Sequence, residues 1–243
     1  MNGESVTSGE RVCIALDFGT RAEVLAAARR FAGRVGWMKV GLEAFVAEGP
    51  SLVADVAASA GGAKIFLDLK FHDIPATVAG AVTSAARFGA SMVNVHAAGG
   101  RAMLESAREA AGRAGLSRLI AVTLLTSIDT RALADLPMAG HPEGIARRLA
   151  LLAKDCGLDG VVCSATDLAA IRDACGPDFF TVVPGIRPAG ADVQDQKRIA
   201  TPASAIAGGA DLLVIGRPVT AAPDPDAALS SILREITTAA PRT

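Results

Sequence analysis

The sequence lacks an excess of charge of either sign. Its 243 residues carry 24 Lys+Arg against 25 Asp+Glu, a formal net charge of −1. A general nucleic-acid binder shows a clear basic surplus, so no nucleic-acid partner is expected. Long apolar runs are missing too. Mean hydropathy is high at +0.38 because 50 residues are Ala, yet no charge-free stretch reaches the roughly 18 residues of a spanning helix. The first ten residues have neither a basic start nor an apolar block, so a secretory leader is not expected and a cytoplasmic protein is. The four cysteines, at 13, 156, 163 and 175, show no C-x-x-C spacing and read as reduced, mostly buried thiols. The three histidines, His72, His96 and His141, are too far apart for a zinc motif. There is no G-x-S-x-G elbow for a serine nucleophile and no G-x-G-x-x-G after a strand for a dinucleotide. With 51% of residues hydrophobic, disorder is excluded as well.

What is present is an alternation. Short apolar, Leu- and β-branched-rich runs recur at 11–18, 37–42, 64–70, 92–97, 117–125, 160–165, 180–186 and 212–217, each bounded by Gly, Pro, Asp or Ser. Between them lie Ala/Arg/Glu-rich helical patterns such as 21–34 and 101–114. Repeated strand–helix units imply parallel strands with helices outside. Eight such units in this length predict a single-domain α/β (β/α)8 TIM barrel over 11–237, with 1–10 as a flexible tail and 238–243 as another. The rival is an open doubly wound sheet. Two connections are long, 126–141 and 187–202, and long loops in a compact domain tend to be lids or binding loops.

In a barrel the functional groups sit at the C-terminal strand ends. Reading those ends in order gives Asp17, Lys39, Asp68 with Lys70, His96, Thr126, Ser164, Arg187 and Arg217. The chain has 19 Arg but only 5 Lys, and Lys39 and Lys70 both fall inside strand patterns. Lysines guard sheet edges in open sheets, but a closed barrel has no edges. In Asp68-Leu69-Lys70-Phe71-His72-Asp73-Ile74-Pro75, the i, i+2 spacing puts Asp68 and Lys70 on one face, toward the barrel mouth. Asp73 is either a third member of that cluster or a helix cap close to Pro75, which suits a first helical turn.

A lysine among carboxylates is held as the ammonium ion. It is then a poor Schiff-base nucleophile but a good proton donor and a good stabiliser of developing negative charge. A neighbouring carboxylate disfavours an anionic ground state more than a transition state whose charge has moved away. Both effects point to decarboxylation through a carbanion-like species, followed by protonation. The last two strand ends supply a phosphate site. Val214-Ile215-Gly216-Arg217-Pro218 leads from a strand into a helix, where backbone N–H groups and a guanidinium can grip an anion. Arg187, after Pro184-Gly185-Ile186, can approach from the neighbouring loop, and Gln196 can add a neutral donor.

These residues resemble the orotidine 5′-phosphate decarboxylase family in its usual bacterial form, over roughly 11–222. The D-x-K-x-x-D core is shared with related phosphosugar barrels. The longer run from Phe66 to Val78, with Pro184-Gly185-Ile186-Arg187 and Ile215-Gly216-Arg217-Pro218, is far more specific. The resemblance implies a TIM barrel that converts orotidine 5′-monophosphate to UMP and CO2 without metal or organic cofactor. It implies Lys70 as the proton donor to C6 and Asp68 beside the substrate carboxylate, with Lys39 and Asp73 completing an alternating Lys-Asp-Lys-Asp set. Asp17 and Lys39 would hold ribose hydroxyls, and Thr126 would lie near the pyrimidine. Arg187, Gln196, Gly216 and Arg217 would hold the phosphate. Asp73 and Thr77 would reach into a partner subunit's site, making a homodimer. Two other readings stay open: a sister barrel acting on a keto-sugar phosphate through a metal-stabilised enediolate, and a nucleotide-binding barrel without activity.

Overall fold

A computed structural model of the chain describes residues 6–188 and 200–239. Each apolar run becomes a parallel strand. In chain order the elements are β1 (Val12–Ala15), α1 (Arg21–Phe31), β2 (Trp37–Gly41), α2 (Leu42–Glu48), α3 (Ser51–Ser59), β3 (Lys64–Phe71), α4 (Pro75–Arg87), β4 (Met92–His96) and α5 (Arg101–Arg113). They continue with β5 (Arg118–Val122), α6 (Thr130–Leu133), α7 (Pro142–Asp155), β6 (Gly160–Val162), α8 (Leu168–Cys175), β7 (Phe180–Val183), α9 (Pro202–Ala207), β8 (Leu212–Ile215), α10 (Arg217–Thr220) and α11 (Pro225–Thr238). The strands pair in sequence order and β8 closes onto β1, giving the expected (β/α)8 barrel rather than an open sheet.

All the strands except β3, which runs on to Phe71, stop short of the apolar runs at their C-terminal ends, where the chain passes into the mouth loops. Helix α1 ends at Phe31 rather than 34, since Gly33 takes φ 71, a conformation glycine adopts at little cost. Ahead of β1, Gly9–Arg11 form a 3-10 turn, and the Gly9 carbonyl accepts from Gly36 N–H at 2.8 Å. The connection 126–141 is not structureless. Asp129 caps α6 through Ala132 N–H at 2.8 Å, and Leu133 packs on Leu124 and Ile145. Residues 189–199 of the other long connection, Gln196 among them, lie outside the described residues. Its ends are joined by Arg187 N–H donating to Ala200 O at 2.9 Å.

Two apolar layers hold the barrel. One lies between sheet and helices and includes Ile14, Met38, Val40, Leu67, Val93, Leu119 and Leu213. The other fills the barrel itself with Cys13, Trp37, Phe66, Met92, Ile120, Val182 and Leu212. Side chains two apart on a strand share a face, so the inward files run Trp37–Lys39–Gly41, Phe66–Asp68 and Met92–Asn94–His96. Each begins apolar at the floor and turns polar at the second level. That change places the site at the C-terminal mouth. All four cysteines are buried and unpaired by disulfides.

Candidate active site

Lys39 and Asp68 are buried, with 7% and 8% of their surface exposed. Two ions taken this far out of water need compensation, and the site supplies it as a chain of alternating charge. Lys39 Nζ donates to Asp17 Oδ1 at 2.9 Å and lies 3.3 Å from Asp68 Oδ2. Lys70 Nζ donates to Asp68 Oδ1 at 2.7 Å. Burial alone pulls the Lys39 ammonium down, but the Asp68 and Asp17 charges outweigh it and leave Lys39 above the ordinary lysine value. Burial likewise pushes Asp68 up, and Lys39, Lys70 and the hydrogen bonds to Asp68 reverse that, holding it below the ordinary carboxylate value. Both groups are therefore ionised at neutral pH. His96, in the same mouth, is pushed down by burial and by the neighbouring His72 and Lys70; its ring lies 5.4 Å from that of His72.

Strand alternation alone does not deliver Lys70. Leu67 pairs with Val93 and Phe71 with Val95, so residues 68–70 of β3 face the single residue 94 of β4. Lys70 sits in this bulge at φ 53, the one non-glycine residue at positive φ among those described. The simple i, i+2 expectation is corrected accordingly: Asp68 and Lys70 converge because the strand bulges. Bulges beside active sites re-aim side chains in this way.

Asn94 was not expected from the sequence. Its Nδ2 donates to Asp68 Oδ1 at 2.7 Å and its Oδ1 accepts from Lys70 N–H at 2.8 Å. The available signal was an amide between two valines of an otherwise apolar strand, in the same inward file as His96. Gly41 was also overlooked. A Cβ there would lie 2.7 Å from Asp17 Oδ1 and 2.8 Å from Lys39 Nζ, so any larger residue would displace that pair from its present position.

Beside the charged chain opens a cleft of about 410 Å³ lined by Asp17, Lys39, Gly185, Arg187, Gly216 and Arg217, among others. Gly185 turns the chain out of β7 at φ 75. Gly216 precedes α10 and Arg217 is the first residue of that helix. Arg187 is buried, 7% exposed, at the cleft wall. The structure thus brings together Asp17, Lys39, Asp68 and Lys70, and sets Arg187, Gly216 and Arg217 beside them. Thr126 is half-buried in the loop after β5 and is not in the cleft lining. Asp73, in the β3–α4 connection, and Thr77, in the first turn of α4, are exposed. Asp73 accepts from Ile74 N–H at 2.6 Å, while the cap of α4 is Ile74, so Asp73 is not the cap.

Comparison with known proteins agrees with this geometry. The profile of the family described as "Orotidine 5'-phosphate decarboxylase / HUMPS family" matches residues 10–232. The orotidine 5'-phosphate decarboxylase of Anaeromyxobacter sp. (strain K) is 52% identical over 223 residues, 92% of this chain and 96% of that protein. The enzyme of the same name from Halorhodospira halophila is 51% identical over 236 residues, 97% and 99% of the two chains. Among solved structures, orotidine 5'-phosphate decarboxylase from Lactobacillus acidophilus superposes with a TM-score of 0.81 at 35% identity, covering 94% of this chain and all of that one. A barrel with this charged mouth, matched over nearly its whole length, belongs to the orotidine 5′-phosphate decarboxylase / HUMPS family.

Proposed function

We propose that the chain decarboxylates orotidine 5′-monophosphate to UMP and CO2, as one catalytic domain over 11–237. The observation that carries this reading is the buried Lys39–Asp68–Lys70 chain, which sets a carboxylate between two cations beside a cleft lined by Arg187 and Arg217. The relatives at about half identity carry the same activity in their names.

The substrate phosphate binds in the cleft on Arg187, Gly216 and Arg217, with Gln196 contributed by the 187–202 connection. Asp17 and Lys39 hold the ribose hydroxyls, and Thr126 flanks the pyrimidine. The substrate carboxylate then lies against Asp68. The C6–carboxylate bond breaks, its electron pair stays on C6, CO2 leaves, and the Lys70 ammonium delivers a proton to C6. Lys70 lowers the barrier by standing where negative charge develops, and charge fixed in place beforehand usually does more for the rate than any other single effect. Phosphate binding is remote from the broken bond, so its energy can hold the carboxylate in place against Asp68. Asp73 and Thr77 act across a homodimer interface. Their exposure supports this, as does Ile74, 66% exposed between them. The reading places the enzyme in the cytoplasm with a small-molecule substrate.

The test is ultraviolet loss of orotidine 5′-monophosphate by the purified protein in excess EDTA, beside Lys70→Ala. Turnover that EDTA leaves intact and Lys70→Ala abolishes is expected. No turnover of this substrate, with turnover of a keto-sugar phosphate on adding Mg²⁺, would overturn the reading in favour of the sister reaction.

A further inference from the structure

We propose that Asn94 is a positioning residue for the decarboxylation, a clamp that sets the Lys70 backbone and the Asp68 carboxylate together. The inference rests on the decarboxylase reading above and goes beyond it, because Asn94 touches neither substrate group in that scheme.

Three residues of β3, 68 to 70, stand opposite Asn94 alone, so the ladder between the two strands is interrupted there. A buried N–H without a partner is costly. The Asn94 side chain takes the place of the missing strand partner: its Oδ1 accepts from Lys70 N–H at 2.8 Å. That bond holds Lys70 at φ 53, a conformation that a side-chain-bearing residue adopts only when its surroundings impose it. From that conformation the Lys70 side chain folds back onto Asp68 Oδ1 at 2.7 Å. The other end of the amide fixes Asp68 itself, through Nδ2 to the same Oδ1 at 2.7 Å. The two contacts agree on one amide orientation, since an N–H requires the oxygen and a carboxylate requires the NH2. Asn94 is 1% exposed, so water does not compete for either bond. One rigid amide therefore couples the proton donor's main chain to the carboxylate that faces the substrate.

Two variants test this. Asn94→Leu keeps the number and branching of the side-chain heavy atoms and removes both bonds. A shift of reacting groups by about 1 Å costs on the order of 100-fold in rate. We expect kcat to fall by about that factor, while KM and UMP affinity stay within about threefold because the phosphate and ribose groups are untouched. A kcat within about threefold of wild type, or a loss confined to KM, would overturn the clamp. Asn94→Asp keeps the acceptor for Lys70 N–H but sets a carboxylate oxygen 2.7 Å from Asp68 Oδ1. Two carboxylates this close do not both ionise, so the acid limb of kcat should move to higher pH. An unshifted limb would mean that position 94 does not contact Asp68 in the working enzyme, and it refutes the clamp even if Asn94→Leu fails to fold. Hydrogen exchange at the Lys70 amide separates this inference from the function on which it rests. If wild type fails to turn over orotidine 5′-monophosphate, the decarboxylase reading falls. Faster Lys70 exchange in Asn94→Leu then still supports the clamp, and unchanged exchange removes it.

Discussion

The two ends of the barrel each hold charge out of water, in opposite ways. At the floor, Arg172 of α8 donates to the carbonyls of Gly209 at 2.6 Å, Phe179 at 2.6 Å and Pro177 at 3.0 Å, to Thr181 Oγ1 at 2.6 Å, and to Asp211. Asp211 in turn accepts from Thr181 N–H at 2.8 Å. One cation is wrapped by the loops that start β7 and β8, and most of its bonds end on main chain. At the mouth, by contrast, Lys39, Asp68 and Lys70 contact mainly one another, on a strand bulge with Lys70 at positive φ, beside an open cleft. The floor uses its charge to tie the chain together. The mouth keeps its charge available to something that enters. A buried ion pair is by itself weak support for stability; what its partners are decides whether it serves fold or chemistry.

The largest expected effect is at the mouth. Lys70→Ala should cost at least ~4 kcal/mol of transition-state stabilisation, roughly a thousandfold in kcat/KM, and the loss should persist per folded molecule, since the buried Asp68 carboxylate keeps Lys39 at 3.3 Å as a partner. Activity within tenfold of wild type would break the comparison from that side. The floor should answer in reverse. Removing one partner of a buried pair costs about 3–5 kcal/mol, and because a quarter of the Asp211 side chain is exposed the lower end applies to Arg172→Ala. Urea unfolding should show that loss, with kcat per folded molecule unchanged; a lowered kcat at full occupancy of the fold would mean the floor reaches the site.

Arg217→Ala comes next, at about 2–3 kcal/mol, the range for a hydrogen bond to a charged group. It should weaken turnover of the phosphorylated substrate and leave a phosphate-free analogue almost unaffected. Equal losses on both would take Arg217 out of the phosphate site. The smallest effect is on the pH dependence of stability. Asp68 is held below the ordinary carboxylate value. A carboxyl with a depressed folded pKa adds stability that is present above its unfolded value and lost as pH falls through the folded one. Wild type should therefore lose more stability than Asp68→Asn between roughly pH 5 and 3. Parallel urea curves over that window would show that the mouth charges are not coupled to folding.

Much of the barrel and its mouth was legible in the sequence. The eight apolar runs became the eight strands, and the polar residues that closed them, Asp17, Lys39, Asp68 and Lys70, meet at one mouth. They were legible because period-two alternation and strand–turn–helix spacing are local properties of the chain. Asn94 and Gly41 were not. An amide inside an apolar strand gives no sign of what lies opposite it, and a glycine that ends a strand looks like any turn residue until the Asp17–Lys39 pair is seen where its side chain would be.

The sequence by itself determined the barrel, its parallel order and the charge types at its mouth. Repeated strand–helix units bury their apolar faces in one compact way, and mouth loops collect whatever follows each strand. Tertiary structure alone decided the register slip between β3 and β4, the positive φ of Lys70 and the amide that holds it. It also left Asp73 and Thr77 exposed. Register between strands depends on how a closed ring of eight settles against its helices, and that is a property of no single segment.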